Sequence, residues 1–499
     1  MLGAVLALAA LFALSRLYKL WSGLKAVDYT PGIRCATGAR FSLSALFRTR
    51  LDSTLFNNPG SGYVWEAQRA GGFKGDIDII SVVPWLQGDV SVIVSSLEMI
   101  QYILRHSDTF DKEQAGSKLL GVNVLTVQKE PWKRHRRVVN PAFSKKLHDL
   151  VWKQSMQTFR DMVDVEGWDK EQSVTIPVLE SLTTKRHAHL ISIPPVQDAP
   201  VRLITPRWAY VLPIQAIKRV DMAFNTVFSF MRAQIALRRE KIASEEVTSD
   251  DAQGKNTIFD NIVKANIDGG KFAFDEDEVI ANTLIMLLAG HETTPRTVNA
   301  TLALLALYEE EQEKVYEEIR RTLPDGRDPD YEDFESFNQI RKCVQEAMRL
   351  YPPAPMLFRE VMHDTHLNAT DKVTGGISHS VTLKKGTRVI LNLVDIHRDP
   401  RHFPEPEAFK PSRWDDDFTT SSDTFGGFGH GLRACIGRKF ALTELTCFMV
   451  MLLRDWRVEV DLAEGETRKQ WQKRVMTDKI TVLHHLPPIS VRFTRRKLM

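Results

Sequence analysis

From Asp275 the chain runs DEDEVIANTLIMLLAGHETTPRTVNATLALL, an apolar stretch long enough that the rest of the fold must be arranged around it. Asp275 and Glu278 have the spacing of a capping box, which predicts a helix continuing past Gly290 toward Leu307. A helix apolar on nearly every face is stable only when it is covered all round, so it is expected to cross the protein's centre. Within it Gly290, His291, Glu292, Thr293 and Thr294 interrupt the apolar run. These residues are locally unfavourable in mid-helix. Either they lie on a solvent face or a site uses them, and the helix alone does not decide between the two. Pro295 removes a backbone N–H and is expected to kink the helix just past them.

Around this helix the periodicities describe a mainly α protein with a minor β-sheet. GDIDIISVVPWLQGDVSVIV alternates about Gln87-Gly88-Asp89 and reads as a hairpin, followed by a helix over SLEMIQYILRH. Helical periods follow from about 130 to 190 and over 216–242. EEEQEKVYEEIRRTL is read as a solvated charged helix, and NQIRKCVQEAMRLYPP is a helix ended by Pro352 and Pro353. No Gly/Ser-rich or low-complexity linker divides the 499 residues, so one large domain is expected over 61–499.

A formal net charge of +3 argues against nucleic acid as the partner. The four cysteines, Cys35, Cys343, Cys435 and Cys447, lie far apart without CxxC spacing, which argues against zinc and against a secreted disulfide framework. MLGAVLALAALFAL is free of charge and is followed by Arg16, Lys19 and Lys25. It reads as a cleaved signal peptide or an uncleaved anchor. The missing basic lead and cleavage site, with positive charge after the apolar run, favour a signal anchor at 1–22 and a linker at 23–60.

In FGGFGHGLRACIGRKFALTEL, Cys435 is flanked by Gly429, Gly431 and Gly437, with Arg433 two residues before it. Glycines let a loop pass close under a flat macrocycle and aim N–H groups at a sulfur. The bland alternative is a buried structural cysteine in a Gly-rich turn. The pattern Phe428-Gly429-x-Gly431-x-Arg433-x-Cys435-x-Gly437 resembles the haem-binding loop of the cytochrome P450 superfamily at every usual position, and the general look is that of fungal microsomal members.

That resemblance implies a cytochrome P450 fold, with Cys435 as the axial iron ligand of haem b, Phe428 beside the haem and Arg433 on a propionate. Glu292 and Thr293 resemble the acid-alcohol pair that guides protons to iron-bound dioxygen. Glu346-x-x-Arg349, followed by Pro411-Ser412-Arg413-Trp414, matches the family's structural Glu-Arg-Arg network. An isolated ExxR is otherwise an ordinary surface pair. Arg359 matches a propionate arginine, against a plain solvent arginine beside Glu360. In PWKRHRRVVNPAF, Trp132 and Arg136 match the W-x-x-x-R helix that faces the propionates, where the generic reading is a nucleic-acid patch or localisation signal.

The implied activity is a monooxygenase placing one oxygen atom of O2 in a lipophilic molecule such as a terpenoid, steroid or polycyclic aromatic. NADPH electrons would arrive through cytochrome P450 reductase, with cytochrome b5 as a second donor, at the endoplasmic reticulum membrane. The alternatives are a redox-independent haem-thiolate isomerase or dehydratase, or a non-catalytic haem-binding variant. The last arises because only IPPVQDAPV joins LTTKRHAHLIS to RLITPRWAYVLP, an apparent shortening near 190–202 where the family has a further helix and part of the pocket roof.

Overall fold

The computed structural model describes residues 2–38, 50, 53–59, 78–114, 117–177, 214–245, 257–267, 270–370, 376–415, 426–476, 479–480, 484–486 and 489–496. The shortening near 190–202 lies outside them. The main helices are α1 (Leu2–Ala26), α2 (Leu97–Arg105), α3 (Lys129–Val139), α4 (Lys145–Glu166), α5 (Gln215–Glu245), α6 (Ile258–Ile267), α7 (Glu276–Leu307), α8 (Glu309–Thr322), α9 (Asn338–Leu350) and α10 (Arg438–Asp455). The main strands are β1 (Gly32–Thr37), β2 (Ile79–Gln87), β3 (Ser91–Val94), β4 (Phe110–Asp111), β5 (Ser173–Ile176), β6 (Met356–Val361), β7 (Thr365–Thr370), β8 (Ile377–Leu383), β9 (Arg388–Asn392), β10 (Trp456–Val460) and β11 (Val491–Arg495). The fold is mainly α with small sheets.

α7 starts at a full capping box: Asp275 Oδ1 accepts from Glu278 N at 2.7 Å and Glu278 Oε2 accepts from Asp275 N at 3.1 Å. It runs unbroken through Pro295 to Leu307. Val279–Ile285 and most of Thr294–Ala306 are buried, and between them Met286–Thr293 is not. The lapse begins in the apolar run at Met286, Leu287 and Leu288 and continues into the polar residues 290–293. The C-terminal half of α7 packs with α4, α8, α9 and α10 in the largest apolar core, built on Trp152, Phe334, Phe337 and Trp456. Buried Gln312 stitches this core by donating to Leu305 O and Val458 O, both at 2.9 Å, which satisfies groups that would be costly to leave unpaired.

The six-stranded sheet has the order β1-β2-β3-β9-β6-β4. β2 and β3 form the expected antiparallel hairpin, pairing Ile79 with Val94 and Val82 with Ser91. This sheet takes in the first part of the segment read as a linker at 23–60. The helix continues to Ala26, Gly23 and Val27 are buried, and β1 pairs in parallel with β2 from Gly32 to Thr37. Residues 23–37 are thus part of the packed domain, because Leu20, Leu24 and Val27 supply an apolar face that the sheet covers.

Candidate functional site

The cysteine loop is closed by Cys435 N donating to Phe428 O at 2.8 Å. Gly431 stands at φ +68°, and a Cβ there would meet Leu104 O at 2.7 Å, so α2 presses on the loop more closely than any side chain permits. Beyond the cysteine, Ile436 packs into the cluster that joins α3, α5, α6 and the first half of α7. The loop therefore has α2 on one flank and this apolar cluster on the other.

Cys435 is exposed, yet enough protein surrounds its sulfur that burial pushes the thiol up. The Gly437 N–H and the positive charges of Arg136, Lys112 and Arg438 pull the other way by favouring the thiolate. A sulfur held by a backbone donor and three cations has the makings of a metal-ligating thiolate.

The expected site residues gather on one side of this sulfur. Arg433 Nη2 is 2.5 Å from Asp111 Oδ1 and 2.8 Å from Val127 O, and its guanidinium lies 4.2 Å over the Trp132 ring. Arg136 donates to Ala434 O at 3.3 Å, next to the cysteine. Arg359 is buried in β6, donates to Phe358 O at 2.9 Å, and is lowered to about 10, chiefly by burial and then by Arg433. Phe428 lies half-buried under Arg438, 5.6 Å from ring to guanidinium.

Motif reading missed two residues here. Lys112 is half-buried, and burial of its ammonium, with Arg359 and Arg433 near it, brings it down to about 7. Asp111 ties the group together: its Oδ1 takes Arg433, and its Oδ2 accepts from Lys129 N at 2.9 Å at the start of α3. Nothing in Phe110-Asp111-Lys112 announces this, because the charges become special only once β4 is buried against β6.

Glu292 and Thr293 sit in the uncovered stretch of α7. Thr293 Oγ1 donates to Ala289 O at 2.7 Å, and Glu292 Oε2 is 3.1 Å from Arg296 one turn on. The stretch also borders a cavity of 180 Å³ between α4, α7 and α10, with Gly290, Thr294, Ser155 and Glu444 among its walls.

Glu346, Arg349 and Arg413 form one buried cluster. Glu346 Oε1 accepts from Arg349 Nη2 at 2.8 Å, Arg413 Nε at 2.9 Å and Lys410 N at 3.0 Å, and Oε2 accepts from Arg349 Nε at 2.9 Å and Trp414 Nε1 at 3.1 Å. Arg349 also donates to His397 O, Pro406 O and Ala408 O at 2.6, 2.7 and 3.0 Å. With both charges fully buried and this well bonded, losing either partner would leave the other stranded at a cost of about 3–5 kcal/mol. The cluster ties α9 to the 404–414 segment that precedes the cysteine loop.

A mostly helical fold with a cysteine loop flanked by buried cations is the arrangement an oxidoreductase with a thiolate-held haem would need. Comparison with known proteins agrees: the Cytochrome P450 family model matches residues 188–484. "Cytochrome P450 monooxygenase 124" of Postia placenta is 26% identical over 529 aligned positions, covering 98% of each chain. Cytochrome P450 monooxygenase prx9 of Penicillium rubens is 26% identical over 77% of each chain, and Cytochrome P450 4A2 of Rattus norvegicus 24% identical over 74% of this chain and 76% of its own. The chain belongs to the cytochrome P450 family.

Family membership implies haem and an external electron donor, and the residues present fit the group. Haem carries two carboxylates, and here Lys112, Arg136, Arg359 and Arg433 outweigh the Asp111 carboxylate in a largely buried corner. Such an excess of buried positive charge is costly unless anions meet it. Cys435 would supply the thiolate, and the φ > 0 glycines at 429 and 431 keep the loop narrow beside it.

Proposed function

We propose that this chain is a membrane-anchored haem-thiolate monooxygenase that places one oxygen atom of O2 in a lipophilic substrate of terpenoid, steroid-like or polycyclic aromatic type. Electrons come from NADPH through cytochrome P450 reductase, with cytochrome b5 as a second donor, and the catalytic domain works on the cytosolic face of the endoplasmic reticulum. The observation that carries the reading is the glycine loop closed by Cys435 N on Phe428 O, with Arg136 on Ala434 O and Arg433 on Asp111 beside it.

Haem b, held there by the Cys435 thiolate, would supply the oxygen-activating chemistry. The protein's own residues bind, orient and move protons. Cys435 is the ligand, and its cations stabilise the anionic sulfur. Arg433, Arg359, Arg136 and Lys112, with Trp132, hold the carboxylate edge, while Phe428 packs at the loop. Glu346, Arg349 and Arg413 lock the segment leading into that loop. Thr293 has its proton committed to Ala289 O, which leaves the hydroxyl oxygen able to accept a hydrogen bond, and Glu292, released from Arg296, relays protons from outside.

The test is the carbon monoxide difference spectrum of the reduced, haem-supplied protein. A strongly red-shifted Soret band, absent in Cys435→Ala, supports thiolate ligation. A band at the position of histidine-ligated or denatured haem overturns it. NADPH oxidation with added reductase, rising when lipophilic candidates are supplied, then separates a monooxygenase from a redox-independent isomerase.

A further inference from the structure

We propose that His135 is a positioning residue for the haem edge: wedged between α3 and the first turns of α7, it fixes how α3 is turned about its axis and so holds Trp132 and Arg136 at the cysteine loop. The inference rests on the haem-thiolate reading and assigns a buried side chain that this reading leaves unused.

α3 works on two sides. Trp132 and Arg136 are four residues apart and share one face. There the Trp132 ring lies under the Arg433 guanidinium and Arg136 donates to Ala434 O. Arg134 and Arg137 turn instead to the segment that leads into α7, Arg134 donating to Ala273 O at 2.7 Å and Arg137 lying 4.7 Å over the Phe272 ring. His135 is fully buried, with its ring 4.7 Å from that of Phe274.

The amide of Asn282, in the second turn of α7, holds His135 by a directed bond. Backbone groups set the orientation of that amide: Oδ1 accepts from Val124 N at 3.0 Å and Nδ2 donates to Glu278 O at 2.7 Å. The second Nδ2 hydrogen then faces His135 Nδ1 at 2.9 Å. Nδ1 must accept it, which makes the ring neutral and puts its proton on Nε2. Burial favours the same neutral form by lowering the ring below its ordinary value. Nε2 stands 3.3 Å from Glu278 Oε1, the oxygen that also takes Arg134, while Oε2 of the same residue caps α7. One amide and one carboxylate of α7 thus meet both nitrogens of the imidazole.

Such a pair sets a register. Turning α3 would strand two buried polar groups, at a cost larger than the bond itself is worth. An apolar side chain at 135 would fill the space yet tolerate more than one rotation. Rotation matters because Arg136 brings positive charge to Cys435 and to the carboxylate edge. Moving that charge away leaves the iron in more negative surroundings, which favours its oxidised form.

The experiment compares haem-loaded wild type, His135→Leu and His135→Asn by the reduction potential of the iron and by the rate at which haem passes to excess apomyoglobin. Gln312→Leu, which unpairs buried carbonyls at the other end of α7, is the control for general destabilisation. We expect His135→Leu to lower the potential and to release haem about 10-fold faster, the effect of one buried hydrogen-bonding group left unpaired. His135→Asn, whose amide oxygen can stand where Nδ1 does, should keep both near wild type, and Gln312→Leu should lose unfolding stability at an unchanged potential. Should His135→Leu take up no haem, Asn282→Ala removes the donor from the other side and carries the same expectation. Wild-type potential and release in the apolar variant, or an equal shift in Gln312→Leu, overturns the proposal. A His135→Asn as defective as His135→Leu overturns the role given to the Nδ1 bond. A wild type without the red-shifted carbon monoxide band overturns the haem-thiolate reading and this proposal with it.

Discussion

Asp111 Oδ1 lies 2.5 Å from Arg433 Nη2, with both side chains 4% exposed, so a two-residue strand clamps the loop that presents the cysteine. The other oxygen of the same carboxylate takes the Lys129 N–H, which starts the helix bearing Trp132 and Arg136. One acid thus sets the spacing between the loop and that helix.

Asp111→Asn removes the charge while keeping the shape, and is expected to lower unfolding stability by about 2 kcal/mol because Arg433 and the Lys129 N–H lose a charged hydrogen-bond acceptor. Thiolate ligation itself should survive, since Cys435 is untouched. Urea unfolding of the haem-loaded protein beside its carbon monoxide spectrum checks both. Wild-type stability in the variant would show that Asp111 is no clamp.

Gly431→Ala tests the close approach of α2. The substitution forces a side chain into a left-handed conformation and against Leu104 O, so a loss of about 2 kcal/mol or more is expected, with reduced haem retention. Gly465 is at φ +74° with nothing near its Cβ position, so Gly465→Ala carries the conformational strain without the clash. Equal effects at the two sites would mean that the contact with α2 contributes nothing.

Glu292→Gln keeps the size of the side chain but cannot carry a proton. With reductase and a turned-over substrate we expect turnover to fall about 10²-fold, the low end for a positioned proton donor, with the carbon monoxide band unchanged. Undiminished turnover would send the proton path elsewhere.

His397 governs part of the acid response. Burial first, then Arg349 and Arg398, lower it from 6.5 to about 3. Below about pH 6.5 the unfolded chain takes up a proton that the folded chain refuses until about pH 3. The folded state therefore loses stability as pH falls through that window, by about 2 kcal/mol at pH 5, and loses nothing to this residue above it. His397→Gln should flatten the fall in unfolding free energy between about pH 7 and pH 5. Parallel curves for variant and wild type would exclude His397 as the cause.

How much was legible in the sequence follows from how local each signal is. The start of α7 at Asp275, the β2–β3 hairpin about Gly88 and the helix ended at Pro352 and Pro353 are written in spacing and turn chemistry within a few residues, and so is the glycine pattern around Cys435. The grouping of Glu346, Arg349 and Arg413 could be drawn only through a family resemblance, because an ExxR step looks the same on any solvated helix. Tertiary structure alone decided the rest. Lys112 and Asp111 matter because β4 is buried beside the cysteine loop, and burial turns ordinary charges into a costly, anion-seeking group. The segment drawn as a linker from residue 23 became packed structure for a like reason. A few apolar residues on α1 and β1 carry no strong local signal, and their place was settled when the sheet offered a surface to cover them.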